Sequence, residues 1–396
     1  MRYHLLLLIF SLQCVVLQAS YADGAYYTGQ FPPQTNAFSA TQLTIQNTAR
    51  NIWVYRPSNA PHPPLLIFFT GTGGTLEYST LDELGKNALQ EFADREGVVI
   101  VAPLPRSIDQ GDWDHGAGAP YWETALGSDP QSPINRNPAT NQDLLLVQAI
   151  MDEAVKSYQI DPNRIYLNGF SSGAFFSYFA AAVLHERIAA FAETGGGLVL
   201  SRTTAGDPIC QINPVSAPPG SHLSCQAAGW TTQSCVTPDA IARPIAPTSV
   251  NWVPPGFLAA NDDDDSVPFA HTCHLANRLG NESEVQVRII HQGGGHIVPS
   301  GYWEDAWNFM KTKRLETALF KAADKIFEYA ETQFAPVFNP APQTSQTGFG
   351  FYYRYYPNSN SYLGYQNQSI WYFLPNTGIR EAGPLSQYLP LAKAVR

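Results

Sequence analysis

Short, mostly apolar runs recur along the chain, and stretches with helical spacing separate them. Leu65–Phe69, Val98–Ala102, Ile165–Leu167, Ala189–Thr194, Phe257–Asn261 and Val285–His291 read as strands. Continuous apolar strands are expected where helices cover both faces of a sheet. Thr80–Glu96 places Leu81, Leu84, Ala88 and Phe92 at helical intervals, and Asp143–Ser157 does the same with Leu144, Val147, Ile150, Met151, Ala154 and Val155. Ala174–Leu184 and Trp303–Lys313 add two further helices. Strands alternating with helices predict a largely parallel, doubly covered sheet, the α/β class. Ahead of it, Gln42–Gln46 and Asn51–Arg56 alternate polar and apolar residues and predict a hairpin.

Three regions break this rhythm. Pro103–Asn141 is long, irregular and rich in Gly, Pro and Trp, and loops of that length inside a compact domain usually carry function. It brings Trp113 and Trp122 as candidate walls of a substrate cleft, with plain loop packing as the alternative. Gly195–Pro254 is rich in Pro, Gly, Ser and Thr and reads as an insertion. After a further amphipathic helix, Leu315–Phe334, and a linker-like stretch, Pro336–Gly350, three short aromatic strands are expected at Phe351–Tyr356, Ser361–Gln366 and Ser369–Leu374. The predicted organisation is an α/β domain over residues 23–314, with the insertion at 195–254, and a helix plus small aromatic β module over 315–396.

Composition narrows the setting. The 396 residues carry 23 Lys and Arg against 33 Asp and Glu, a net charge of −10. That balance argues against nucleic acid or an anionic membrane as partner. Residues 1–22 have the form of a secretory signal peptide: Arg2 and His4, an apolar core from Leu5 to Leu17, and small residues at Ser20 and Ala22. Cleavage after Ala22 would deliver a secreted or periplasmic protein, and the apolar core is short for a retained membrane anchor. The exported chain would keep Cys210, Cys225, Cys235 and Cys273, enough for two disulfides with three connectivities. Zinc is the rival reading, but there is no C-x-x-C spacing to favour it.

Candidate chemistry centres on Gly169-Phe170-Ser171-Ser172-Gly173, a G-x-S-x-G between a predicted strand and a predicted helix. That context is what a nucleophile elbow requires. An acid and then a histidine follow, each after an apolar strand: the run Asp262–Asp265, and His296 within Gly293-Gly294-Gly295-His296. A serine hydroxyl needs an imidazole to take its proton and a carboxylate to orient that imidazole. His296 is the expected base, with His291 as the nearest rival. Spacing alone does not choose among the four aspartates, whose run would also suit a solvated turn or a calcium ion. Thr70-Gly71-Thr72-Gly73-Gly74 follows the first apolar strand, and the N–H groups of Thr72 and Ser172 are the expected oxyanion donors. No Gly-Lys-Ser/Thr is present to make that loop a phosphate site.

These motifs together resemble the secreted esterase family of polyhydroxybutyrate depolymerases, feruloyl esterases and acetylxylan esterases, within the α/β-hydrolases. The likeness rests on the glycine loop after Phe69, Asp161-Pro162-Asn163-Arg164-Ile165-Tyr166, the elbow, Asp264 to Pro268 as D-x-x-V-P, and Gly293 to Pro299 as G-G-G-H-x-x-P. It spans about Asn51 to Lys313 and departs from the family pattern at Thr70, Thr72, Ala174 and Val298. The resemblance favours Asp264 as the acid and implies a catalytic triad of Ser171, Asp264 and His296 acting through an acyl-enzyme. It implies no metal and no organic cofactor. The expected partner is an ester or polyester substrate, with polyester first and plant-wall esters as the alternative. A serine peptidase on the same fold and a non-catalytic binding protein are the competing classes. The aromatic tail is a candidate polymer- or glycan-binding surface, its alternative being a mini-core docked on the main domain.

Overall fold

The computed structural model describes residues 26–393 apart from 34–36, 59, 72–85, 108–119, 123–134, 136, 198–199, 202–208, 211–216, 232–234, 237–242, 245–252, 281–282, 292–293, 336, 339–343 and 349. The signal segment, Thr72, Trp113 and the first turns of the helix expected from Thr80 therefore lie outside the described residues.

The strands of the main sheet, in chain order, are β1 (Tyr27–Thr28), β2 (Ser39–Ile45), β3 (Thr48–Tyr55), β4 (Leu65–Phe69), β5 (Val99–Pro103), β6 (Ile165–Phe170), β7 (Ala190–Thr194), β8 (Ser221–Leu223), β9 (Gly256–Asn261) and β10 (Val285–His291). They lie side by side in the order β1-β2-β3-β5-β4-β6-β7-β9-β10-β8. From β5 to β10 the pairings are parallel, while the hairpin β2–β3 and the edge strand β8 run antiparallel. Strand β8 lies within the stretch 195–254, the expected insertion. Ser221, His222 and Leu223 pair with His291, Ile290 and Ile289, so part of that segment extends the central sheet.

Helices α1 (Lys86–Glu96), α2 (Gln142–Tyr158), α3 (Ser172–Val183), α4 (Ala270–Leu279), α5 (Tyr302–Met310) and α6 (Leu315–Gln333) cover the sheet. Successive strand residues point to opposite faces, and the strands are apolar on both. On β4, Leu65, Ile67 and Phe69 join the core beneath α2 and α3, while Leu66 and Phe68 join the core beneath α1, α5 and α6. Buried apolar faces on both sides fix which strands are central and leave their carboxyl ends free for chemistry.

Beyond α6 the chain forms a second, antiparallel sheet: β11 (Gln346–Gly348), β12 (Phe351–Tyr356), β13 (Ser361–Gln366), β14 (Ser369–Leu374) and β15 (Gly378–Pro384), followed by α7 (Leu385–Lys393). The stretch expected to be a linker thus contributes the strand β11. The sheet is not detached: Tyr356, Leu363, Tyr365, Ile370 and Leu385 share one apolar core with Leu319, Ile326 and Phe327 of α6. Arg354 reinforces the seam from the module side, pairing with Asp324 at 2.9 Å and Glu331 at 2.8 Å. Among the described residues no helix is long and apolar enough to cross a membrane.

One disulfide joins Cys225 to Cys273 of α4 across 48 residues of sequence. It ties the 195–254 segment to the main domain rather than to itself. Of the three connectivities open to four cysteines, this bond leaves only Cys210 with Cys235. The backbone holds those two at directly opposed register positions in a short antiparallel pair, Ile209–Cys210 with Cys235–Val236. Closing a loop of that length is worth about 4 kcal/mol in the chain-entropy account. Cys225→Ser is therefore expected to lower Tm by several degrees, and a non-reducing peptide map should recover Cys210 and Cys235 in one linked fragment. Recovery of either as a free thiol would count against the second bond.

Candidate active site

The elbow begins with three close approaches. A Cβ on Gly169 would lie 2.1 Å from the Gly173 carbonyl oxygen, and one on Gly173 would lie 2.2 Å from the Phe69 carbonyl oxygen. Only glycine fits at either position, which is why β6 can turn directly into α3. Gly71 is similarly constrained: its Cβ would meet the Ser171 Cβ at 3.0 Å. Between them Ser171 adopts φ 57°, ψ −126°, a conformation that costs a non-glycine residue energy and persists because the surroundings hold it. Its N–H donates to the Thr194 carbonyl at 3.1 Å. The strained turn lifts the hydroxyl off the end of the sheet.

One imidazole meets that hydroxyl. His296 Nε2 lies 2.8 Å from Ser171 Oγ, and its Nδ1 lies 2.7 Å from Asp264 Oδ2. The Asp264 side chain is 1% exposed, and its other oxygen accepts the Ser266 N–H at 3.0 Å and the Val267 N–H at 2.8 Å. Those two amide bonds fix the carboxylate, so the D-x-x-V spacing is a turn folded around its own acid. His296 stacks on Phe170 with centroids 4.8 Å apart. Gly195, at φ +61°, packs beside both: a Cβ there would lie 3.3 Å from His296 Cε1 and 3.5 Å from Asp264 Oδ2.

Neighbouring aspartates have other partners. Asp263 Oδ2 accepts the N–H groups of Gly294 and Gly295 at 2.8 and 3.1 Å, which pins the loop that carries His296. Asp262 is hydrogen-bonded to Nδ1 of His291. Asn261, the last residue of β9, donates its side-chain amide to the carbonyls of Gly295 and Ile297, both at 3.0 Å. Asn261, Asp263 and Asp264 thus each hold part of the loop that carries His296, while Asp262 holds the end of β10 that leads into it. Only Asp264 reaches His296. Asn261 escapes sequence reasoning because it reads as the polar end of a strand, although its near-complete burial marks it as structural.

The expected oxyanion donors divide. Ser172 is the first residue of α3, so its N–H lies among the unsatisfied donors of a helix N-terminus. Thr72 lies outside the described residues. Trp122 requires a correction: it is 2% exposed and forms no wall of a cleft. Its indole stacks on Phe176 with centroids 5.1 Å apart, and its Nε1 donates to the Thr70 carbonyl at 2.8 Å. The indole is large and apolar and finds its one hydrogen bond inside the core. It anchors the start of the glycine loop from behind.

Glu193 lies beneath the elbow and sequence reasoning passed over it. It is fully buried, and neither carboxyl oxygen completes a hydrogen bond. Burial pushes its pKa up to about 8, opposed weakly by the Thr272 hydroxyl and the Gly196 amide. The signal was present as an acid inside the otherwise apolar run Ala190-Phe191-Ala192-Glu193.

Comparison with known proteins finds sequence matches over about two fifths of the chain. Residues 51–215 match the phospholipase/carboxylesterase family model. A curated relative, the bifunctional acetylxylan esterase/xylanase XynS20E of Neocallimastix patriciarum, is 33% identical over 165 residues, which cover 41% of this chain and 20% of that protein. The chain therefore matches about a fifth of that relative's length. Among solved structures, an acetyl xylan esterase from Aspergillus awamori superposes with a TM-score of 0.42 at 14% identity, covering 69% of this chain and 99% of the other. The Bacillus cereus carboxylesterase gives a TM-score of 0.38 at 18% identity, covering 66% and 94%. The strand–elbow–helix of β6 and α3 lies inside the region, residues 51–215, over which the chain resembles the phospholipase/carboxylesterase family.

Proposed function

We propose that the protein is an exported carboxylic ester hydrolase that removes short acyl groups, acetyl foremost, from plant-wall polysaccharide. The observation that carries the hydrolase reading is the single imidazole bonded at once to Ser171 and Asp264. Ser171 Oγ attacks the ester carbonyl and passes its proton to His296 Nε2. Asp264 holds Nδ1–H and stabilises the imidazolium. The N–H of Ser172, with that of Thr72, would receive the developing oxyanion. Collapse breaks the bond to the alcohol, which leaves with the proton from His296. Water then attacks the acyl-enzyme with His296 again as base, releasing the acid and restoring Ser171.

The family resemblance alone ranks polyester first. The acetylxylan esterase relative supports a wall ester instead. Export rests on the signal-like segment 1–22 and agrees with a disulfide in the folded domain.

Purified protein lacking residues 1–22 should release acetate from acetylated xylan faster than ferulate from methyl ferulate, and should release little hydroxybutyrate from polyhydroxybutyrate particles. Ser171→Ala should abolish all three. Hydroxybutyrate release without acetate would replace the wall ester with polyester. Cleavage of peptide substrates alone would make the protein a peptidase.

A further inference from the structure

Alternation along the C-terminal strands sorts their apolar and aromatic side chains into two sets. Tyr352, Tyr356, Leu363, Tyr365 and Ile370 turn toward α6. Tyr352 stacks on Phe320 at 4.2 Å, and the Tyr356 hydroxyl donates to Glu331 at 2.7 Å. That set accounts for the docking of the module. The other set is Phe351, Tyr353 and Tyr355 on β12, Tyr362 on β13, and Trp371 and Phe373 on β14. All six are only partly buried. They tile against one another: Tyr355–Tyr362 centroids are 4.5 Å apart, Tyr362–Phe373 5.7 Å, Tyr353–Tyr362 5.9 Å and Phe351–Trp371 6.1 Å. Gly364 sits among them, where a Cβ would press on Phe351 at 3.3 Å. The fold does not require this second layer, since the core lies on the opposite face. A contiguous ring surface of this kind marks an interaction site.

The chemistry of the surface selects its occupant. Between Gln346 and Pro384 the charged residues are Arg354, Arg380 and Glu381. Arg354 is consumed at the seam with α6, and the other two, opposite in sign, stand on the outermost strand β15. The face thus offers no net field to a polyanion or polycation. Three of its rings are phenols, and Tyr362 is kept neutral by its partial burial first and by the nearby Tyr355 and Tyr353 second. Phenol hydroxyls both donate and accept. A sugar presents a flat C–H face to a ring and hydroxyls of both senses around its rim. A polyester presents carbonyl acceptors and no donors.

We propose that this aromatic face is a binding platform for a neutral polysaccharide, separate from the Ser171 site and holding the enzyme to a solid substrate. Binding here does not depend on which ester Ser171 cleaves.

The test is sedimentation of the full mature chain, carrying Ser171→Ala to prevent turnover, with insoluble xylan, with cellulose and with polyhydroxybutyrate particles. Saturable binding to at least one polysaccharide is expected, changed less than about twofold between 0.15 and 1 M salt, since stacking is not screened. Tyr362→Ala with Trp371→Ala should weaken it at least tenfold, and so should Tyr355→Ala alone at the edge of the platform. In the Ser171 parent, the same changes should leave kcat/KM on a small soluble ester within about twofold and the far-UV spectrum unaltered. Binding to polyester particles but to neither polysaccharide would overturn the proposal, as would no binding at all or binding indifferent to both sets of changes. Catalytic failure would appear separately, in the soluble-ester assay.

Discussion

Substituting His296 by alanine is expected to lower kcat/KM on a small soluble ester by about 10⁴-fold or more, with little change in Tm. His296 is the group bonded to both Ser171 and Asp264, so its loss removes the proposed proton acceptor and leaves the Asp264 carboxylate without that partner. Its side chain is 22% exposed, and its neighbours Phe170 and Gly195 pack from the strand side, so truncation empties the mouth of the site rather than the core. His291→Ala should behave in the opposite way. That ring binds Asp262, whose side chain is 5% exposed and whose second oxygen already lacks a partner. Removing the ring leaves a buried carboxylate unpaired, at a cost of about 1–3 kcal/mol, and the rate should fall less than tenfold. Kinetics and thermal melts on the two variants therefore separate the roles. A rate loss concentrated in His291→Ala would move the base to that residue.

The same pair of histidines shows how far the sequence reaches. Chain order and position at strand ends single out Ser171 and His296, because an α/β sheet delivers its chemistry at those ends and only a few polar residues stand there. Choosing Asp264 from Asp262–Asp265 requires three dimensions. Three of those carboxylates each find a different partner: Asp262 the end of β10 at His291, Asp263 the amides of Gly294 and Gly295, and Asp264 His296. Their division of labour depends on a turn in which Asp264 caps the amides of Ser266 and Val267, and nothing in the composition of the run encodes that. The loss of Trp122 from the cleft has a similar cause. An irregular, aromatic-rich loop looks the same in sequence whether its rings face solvent or core.

Strand length sets another limit. β8 is Ser-His-Leu, and β11 is Gln-Thr-Gly. Neither carries an apolar alternation, because both lie at sheet edges with little surface to bury. β15 escapes for the same reason. The aromatic strands β12, β13 and β14 are plain by contrast, since β propensity and period-two spacing agree in them.

Glu193 yields the second large effect, and it runs with pH. Its folded-state pKa, raised from 4.5 to about 8 by burial, means that the native protein keeps this proton while the unfolded chain has already released it. Between about pH 4.5 and 8 the unfolded state binds fewer protons, so stability declines as pH rises through that window and levels off above it. At 1.36 kcal/mol per unit, the decline is on the order of a few kcal/mol. The groups facing the carboxyl do not rescue it: the Thr272 hydroxyl and Gly196 amide are neutral and imperfectly placed, and the Tyr302 phenol, itself buried, is held well above its ordinary pKa by burial first and by Glu193 second. Glu193→Gln keeps the shape of the neutral acid and removes its titration. The variant should melt within a degree or two of the parent at pH 5 and several degrees above it at pH 9. Activity should follow stability, because the carboxyl packs against Gly196, and the adjoining Gly195 abuts His296 and Asp264. On the alkaline side, kcat/KM of the parent should fall earlier than that of Glu193→Gln. A Tm difference that stays constant from pH 5 to 9 would mean that Glu193 is already ionised in the folded protein, and a cation would then have to lie within reach of it.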